Sequence, residues 1–463
     1  MEKEIRKKVK KILLEKFLQE ADGAKTFALE MPVKESDKND ISKIKYTLNK
    51  NGFKMWIIGG AVRDTVRNSI KLSKNPMNET LVVPKDFDLV TDATPDEIKK
   101  MFSGADFISN ILNIGESFAI QFLVTKSHNQ YELATLRSDS GGGRKPDSVQ
   151  YEKTIEKDSQ RRDLTINALY YEITGVNDKG FIGIVHDLVG GVNDLKTNSI
   201  NTVGNPEDRF AEDPLRKIRA VRFAAVMGSE IPNNVAAAIR AGGTSLVDPI
   251  GKKVSDERIR DEYYKGIKNA KSVVHFLSLL QDFDFFKHIF GTNLSVDLSA
   301  FAEERHPIAM TANLLRRNNI KNIGTELNLK KYSSDEVNCF AFLVSLISLN
   351  EDNASEIKKF YSQKVKNAKP VISEKPYPMT EEVMDKFANL NHIDKVKIKN
   401  LLRLADEFIQ PSELLKTLGY KDRELGIAIA RIEKEFFKNP DRVKPIIDSG
   451  DAEEIKKMIF ISK

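Results

Sequence analysis

The chain of 463 residues contains one cysteine, Cys339, and six histidines. A single thiol closes no internal disulfide, and so few soft ligands exclude a Cys/His zinc site, which leaves oxygen donors for any metal. Long apolar runs are also missing: none approaches the ~18 residues that a bilayer-crossing helix needs. The opening "MEKEIRKKVKKILLEKFLQE" has neither an apolar signal core nor a small-residue cleavage site, so the sequence predicts a cytoplasmic protein without a membrane partner. Charge of one sign is scarce as well. Lys and Arg number 73 against 67 Asp and Glu, a formal excess of +6 that permits an anionic partner without demanding one. No fixed-period repeat runs through the chain, which sets aside solenoids and propellers.

What is present is ordinary soluble composition, 40% hydrophobic and 30% charged, in a chain long enough for about three domains. Ile5, Val9, Ile12, Leu13 and Phe17 recur at helical spacing among lysines, and the polar "VKESDKNDISK" that follows reads as a linker. From about 54 to 175 short β-type runs ("FKMWIIGG", "FDLVTDA", "SFAIQFLVT", "YELATLR", "LYYEI") alternate with helical patterns, the mark of an α/β unit. Beyond about 200 amphipathic stretches such as "DPLRKIRAVRFAAVM" and "SDERIRDEYYKGIKNAKSVVHFLSLL" predict an all-helical remainder, with Pro-containing breaks near "ERHPIAM" and "KPVISEKPYP".

Two D-x-D pairs raise the question of chemistry: Asp86 and Asp88 in "KDFDLVTDA", and Asp282 and Asp284 in "QDFDFFKHI". The first reads as a strand with both carboxylates on one face and Phe87 and Leu89 on the other. Thr94 as N-cap, Pro95, Asp96 and Glu97 then start a helix. Like charges held together suit a bridging cation, and an all-oxygen site suits Mg²⁺. Upstream, "WIIGGAVRD" ends a buried strand in Gly59 and Gly60, where backbone amides at a helix start and Arg63 one turn in fit phosphate oxygens. Glu132, between Tyr131 and Leu133, is the candidate third acidic ligand of a two-metal site. Asp282 and Asp284 follow the apolar "VVHFLSLL" with no glycine loop nearby and read as helix-end or turn residues.

"GGAVRD", "DFDLVTDA", "DSQRRDLTINAL", "DLVGGVNDL" and "AEDPLRKIRAVRFA" occur in that order over about 59–225. Together they resemble the class II tRNA nucleotidyltransferase and bacterial poly(A) polymerase family, within the DNA polymerase beta-type nucleotidyltransferase superfamily. The resemblance implies an α/β head, a small mixed sheet with flanking helices, followed by an all-α neck, body and tail. The expected divisions are a helical extension and linker over 1–45, the head over 46–198, a nucleotide-selecting neck over 199–266, a body over 267–355 and a tRNA-binding tail over 356–463.

It further implies that Asp86 and Asp88, with Glu132 as third carboxylate, hold two Mg²⁺ ions, and that Gly59, Gly60 and Arg63 take the triphosphate. Arg162, Asp163 and Asn167 match the motif that holds ribose and phosphate. Asp213 and Arg216 match the base-selecting motif, expected on one face of a helix whose first turn holds Pro214, with Arg219 as support or second base contact. The chemistry of the pair is specific: cytosine and adenine each show an amine donor beside a ring-nitrogen acceptor, which a carboxylate and a guanidinium complement, whereas uracil and guanine show a carbonyl beside an N–H. Asp187, Gly191 and Asp194 are expected to shape a hinge, and "LRSDSGGGRKPDSV" a mobile loop in which Gly143 stands where the family commonly has an acid. The stretch "TVRNSIKLSKNPMNETLVVPK" is longer than the family's usual link, and its polar middle reads as a surface loop.

The function implied is template-independent addition of C, C and A to the tRNA 3′ end from CTP and ATP, with pyrophosphate released and no obligatory protein partner. Poly(A) synthesis shares the catalytic motifs, but that branch usually carries basic residues around the strand that here reads "GESFAIQFLV". The same motifs also admit CC-only or A-only addition, and a catalytically silent RNA-binding protein.

Overall fold

The computed structural model describes residues 25–74, 83–113, 120–140, 148–241, 245–248, 250–295, 297, 303–320, 323–328, 330–350 and 381–461. Among them no helix is long and apolar enough to cross a membrane. They fall into two compact units divided after Glu262, with Ala270–Ser272 belonging to the first and Tyr263–Asn269 to the second. Of the neck expected over 199–266, the described residues up to Glu262 fall in the first unit and Tyr263 onward in the second, and the described residues of the expected body and tail fall in the second apart from Ala270–Ser272. The boundary expected at 355/356 lies outside the described residues.

The first unit begins with β1 (Thr26–Pro32), α1 (Glu35–Lys50), β2 (Met55–Ile58), α2 (Gly60–Lys74), β3 (Asp88–Thr91), α3 (Pro95–Phe102) and β4 (Ile108–Asn113). It continues with β5 (Ile120–Thr125), β6 (Gln130–Thr135), β7 (Arg137–Ser140), β8 (Ser148–Tyr151), α4 (Ile155–Gln160), a 3₁₀ turn at Thr165–Asn167, β9 (Leu169–Asn177) and β10 (Gly180–Asp187). Eight strands form one mixed sheet in the order β1-β10-β9-β2-β3-β6-β5-β4, parallel only at β3–β6; β7 and β8 make a separate ribbon. The ribbon flanks the glycines expected to form a mobile loop, and residues 141–147 themselves lie outside the described residues.

Two expectations need correction. The stretch read as a linker is structured: β1 is a sheet edge whose Met31 is fully buried, and "ESDKNDISK" opens α1. Its acids point inward because they have partners there. Asp37 accepts from the Tyr131 hydroxyl at 2.8 Å, and Asp40 accepts from Thr125 Oγ1 at 2.9 Å, from Asn129 at 3.0 Å and from Ser127. Such bonds satisfy carboxylates that burial would otherwise penalise. The amphipathic helix expected over residues 5–17 lies outside the described residues. Likewise α2 runs to Lys74, so the first half of the stretch after Asp64 is helix, and only residues 75–82 lie outside the described residues.

After the sheet come α5 (Gly191–Thr197), α6 (Pro206–Glu212), α7 (Leu215–Met227), α8 (Asn233–Arg240) and α9 (Asp256–Asn269). The second unit is helical, as expected. Tyr263, Phe276, Phe290, Tyr332 and Phe340 form a continuous aromatic core there, with ring centroids 5.3–6.5 Å apart. Asp282 ends the helix Val273–Asp282 and Asp284 sits in a left-handed turn at φ 52°, the turn roles expected of them.

Candidate active site

β2 is four consecutive buried residues, so it fits the middle of a sheet covered on both faces. It ends at Gly59, whose φ of 68° suits glycine and turns the chain into α2. A Cβ at Gly59 would stand 3.2 Å from Asp88 Oδ2, so the bare backbone makes room for that carboxylate. Asp88 opens β3, opposite Ile58 on one side and Glu132 of β6 on the other. Asp86 and Asp88 are exposed while Phe87 and Leu89 are buried, the alternation that sets both acids on one side. Asp86 itself precedes β3 instead of lying within it. The turn after β3 has the expected Thr94–Glu97 capping box.

Glu132 alternates with buried Tyr131 and Leu133, and Tyr131 reaches the opposite side of the sheet to α1. Burial and the neighbouring Asp88 charge push the Glu132 carboxyl up to about 7, partly offset by Arg162. Two carboxylates in register on adjacent strands thus repel one another, and a cation between them relieves that cost. Among the described residues no group of three or more His, Cys, Asp or Glu side chains stands assembled around one point. Mg²⁺ commonly takes one or two carboxylates plus waters and substrate phosphates, and the Asp88–Glu132 pair, in register on adjacent strands, fits that manner of binding.

The other expected residues form two linked sets, of which the second reaches the acid pair through the Arg162 charge on Glu132. In the first, Arg63 donates from Nε to Asp64 at 2.9 Å and from Nη1 to Asn167 Oδ1 at 2.8 Å, and lies over the Phe223 ring at 5.2 Å. Arg219 covers the same ring at 5.6 Å and donates to Asp163 at 2.7 Å. Burial would raise the Asp163 carboxyl, but Arg219 holds it below the usual range. Asn167 is buried, and its Nδ2 has no hydrogen-bond partner, so a donor is left over for a ligand.

In the second, Arg162 pairs with Asp158 at 2.8 Å and stacks on Tyr170 at 5.1 Å. Asp158 is fully buried; burial would raise its carboxyl, yet Arg162 and Arg161 hold it well below the carboxylate range. The Arg161 carbonyl in turn accepts from Arg216 Nη2 at 2.8 Å.

The motif expected to select the base is a corner and not one helical face. α6 ends at Glu212, Asp213 is extended at φ −142° and ψ 99°, and Pro214 is the N-cap of α7. Arg216 lies in the first turn of α7, held by Glu212 at 2.6 Å. Asp213 receives Arg258 of α9 at 2.8 Å and the Leu215 amide at 3.2 Å. Glu262, one turn beyond Arg258, takes Arg222 at 2.5 Å and Arg219 at 3.3 Å. Asp158, Arg222 and Phe223 lie within the quoted motifs but were assigned no role there, whereas Tyr170, Arg258 and Glu262 lie outside them and carry no local sequence signal of a site role.

The segment expected as a hinge is closely tied. Asp187 accepts from the Gly190, Gly191 and Val192 amides at 2.9 Å each, and Asp194 accepts from Thr165 at 2.5 Å and Asn201 at 2.8 Å. A Cβ on Gly191 would meet the Thr165 carbonyl at 2.3 Å, so the segment braces the turn that carries Asn167.

With this arrangement, residues 55–201 match the family described as "Poly A polymerase head domain". Over this region the chain is similar to both CCA-adding enzymes and bacterial poly(A) polymerases. It is 34% identical over 225 residues to poly(A) polymerase I of Escherichia coli O157:H7, 47% of this chain and 44% of that one. It is 34% identical over 220 residues to the CCA-adding enzyme of Enterococcus faecalis, covering 47% and 46%. The chain thus spans about half the length of these relatives. The CCA-adding enzyme of Ligilactobacillus salivarius matches over 433 residues at 28% identity, covering 89% of this chain and 94% of that one. In fold, the Bacillus stearothermophilus CCA-adding enzyme in complex with CTP is similar at TM-score 0.60 and 19% identity, covering 88% and 94%.

Proposed function

We propose that the protein extends tRNA 3′ ends with C, C and A from CTP and ATP, without a nucleic-acid template, in a cytoplasmic setting. The observation that carries this reading is the Asp88–Glu132 acid pair beside Gly59, with Arg162 acting on Glu132 and the Arg161 carbonyl next to it accepting from Arg216 of the Asp213–Arg216 corner. In the reaction the RNA 3′ oxygen bonds to the α-phosphorus, the bond to the bridging oxygen breaks, and pyrophosphate leaves. The Gly59 and Gly60 backbone and Arg63 hold the triphosphate, Arg162, Asp163 and Asn167 take ribose and phosphate, and Asp213 and Arg216 read the base edge. Asp86, Asp88 and Glu132 would hold Mg²⁺, two ions by family resemblance, which supplies charge to activate the 3′ hydroxyl and neutralise the phosphates.

The near full-length match to a CCA-adding relative favours this reading. A second reading, poly(A) synthesis, is favoured by the 34% identity to poly(A) polymerase I across the head.

The test supplies full-length protein and Mg²⁺ with a tRNA lacking its last three nucleotides, and gives CTP alone, ATP alone or both. Two additions, none and three are expected respectively, and Asp88→Asn lowers each rate on the order of a thousandfold or more. Long A tails from ATP alone favour the second reading, and RNA binding without addition points to a silent binding protein.

A further inference from the structure

α2 reaches α7 with two side chains one turn apart. Arg63 lies over Phe223, and Arg67 donates from Nη2 to the Met227 carbonyl at 2.7 Å. Phe223 and Met227 are also one turn apart, so two rungs join successive turns of the two helices. Met227 ends α7, and Gly228 follows in a left-handed conformation at φ 63°. A helix leaves its last carbonyls without partners inside the helix, and a guanidinium there meets both the acceptor and the negative end of the helix dipole.

What this bond anchors is far from it along α7. The helix spans 13 residues, about 20 Å, and its other end is the Asp213–Arg216 corner. A tilt of about 5° at Met227 would move that corner by roughly 1.7 Å over this length. α2, at its own start, carries the Gly59–Gly60 turn. The two halves of the nucleotide grip, phosphate turn and base-reading corner, are therefore gauged against each other across Arg67.

We propose that Arg67 is a positioning residue for nucleotide selection, fixing the angle of α7 through the Met227 carbonyl. The proposal rests on the base-selecting role given above to Asp213 and Arg216. A misplacement of about 1 Å can cost roughly a hundredfold in a reaction that depends on orientation. Loosening α7 takes hydrogen bonds from cytosine or adenine, whereas uracil or guanine, which gain none there, lose little. Selectivity falls while the phosphate grip stays. The same end of α7 is also held by the Lys271 amide on the Ala225 carbonyl at 2.9 Å and by Asn198 on the Gly228 carbonyl at 2.7 Å. Changing Arg67 thus alters the angle of a helix that remains folded.

The test uses full-length Arg67→Met and Arg67→Lys beside the unaltered protein. It reads kcat/KM for one addition to trimmed tRNA with CTP and with UTP, calorimetric Kd for each nucleotide without RNA, and melting temperature. Arg67→Met is expected to lower the CTP-over-UTP ratio on the order of tenfold, the scale of one charge-assisted hydrogen bond, with UTP nearly unchanged. Arg67→Lys keeps part of the ratio, and ATP against GTP behaves alike. An equal fall for both nucleotides, or an unchanged ratio, overturns the proposal. If the unaltered protein fails to prefer CTP over UTP and ATP over GTP, base selection itself is overturned and the proposal with it. Should Arg67→Met melt below the assay temperature, Arg67→Lys is read by the same ratio.

Discussion

Gly59 concentrates the physics of the site in one residue: its φ of 68° disfavours a side chain, and a Cβ 3.2 Å from Asp88 Oδ2 would force that carboxylate to give way. Gly59→Ala is expected to cost about 1 kcal/mol through the left-handed backbone and to push the Asp88 carboxylate aside. Nucleotide addition should fall on the order of tenfold or more while the melting temperature drops by only a few degrees. A large loss of stability with activity per folded molecule intact would contradict this account of the turn. At this scale the sequence was legible where a motif is local. Gly59, Asp88 and Glu132 were singled out by their combined context and by the family resemblance, whereas the Thr94 cap could be read from spacing alone. Arg258 with Asp213, and Arg162 with Tyr170, could not, because their partners are set by tertiary contacts that no periodicity encodes.

Elements were legible where apolar runs announced them, as in β2, β3, β5, β6 and β9. β1 and β10 were not. β10 carries Gly180 and Gly183, poor strand formers, yet a Cβ on Gly183 would stand 2.5 Å from the Tyr171 ring, so the large ring of β9 requires the small neighbour. Met31 of β1 is fully buried, and Met31→Ala should cost about 2–5 kcal/mol in chemical unfolding. A change below about 0.5 kcal/mol, the scale of surface substitutions, would return this strand to the role of a linker.

In the second unit His306 is the N-cap of the helix Pro307–Arg317, where a cation opposes the helix dipole. Burial, then the Lys386 charge, opposed by Glu382, lowers its pKa to about 4. The unfolded chain, with a histidine near 6.5, binds the proton more readily. The stability due to neutral His306 is therefore complete above about pH 6.5 and is lost as pH falls towards about 4. Melting curves from pH 7.5 to 5 should show a smaller drop for His306→Asn than for the unaltered protein. An equal drop in both would contradict the shift.

For the whole molecule, an α/β head followed by helices was readable from the change in periodicity near residue 200. The grouping into two units was not, because Arg258 and Glu262 tie the start of α9 to Asp213 and α7 through contacts invisible to composition. The central claim is the proposal that an acid pair at the start of β3 and a carboxylate–guanidinium corner together build a defined three-nucleotide end. The most direct measurement mixes trimmed tRNA with an unstructured RNA and all four nucleotides, adds the protein and Mg²⁺, and sequences every 3′ end. The account predicts CCA on the tRNA and almost no extension of the other RNA. Runs of A on both RNAs, or U and G among the added nucleotides, would contradict it.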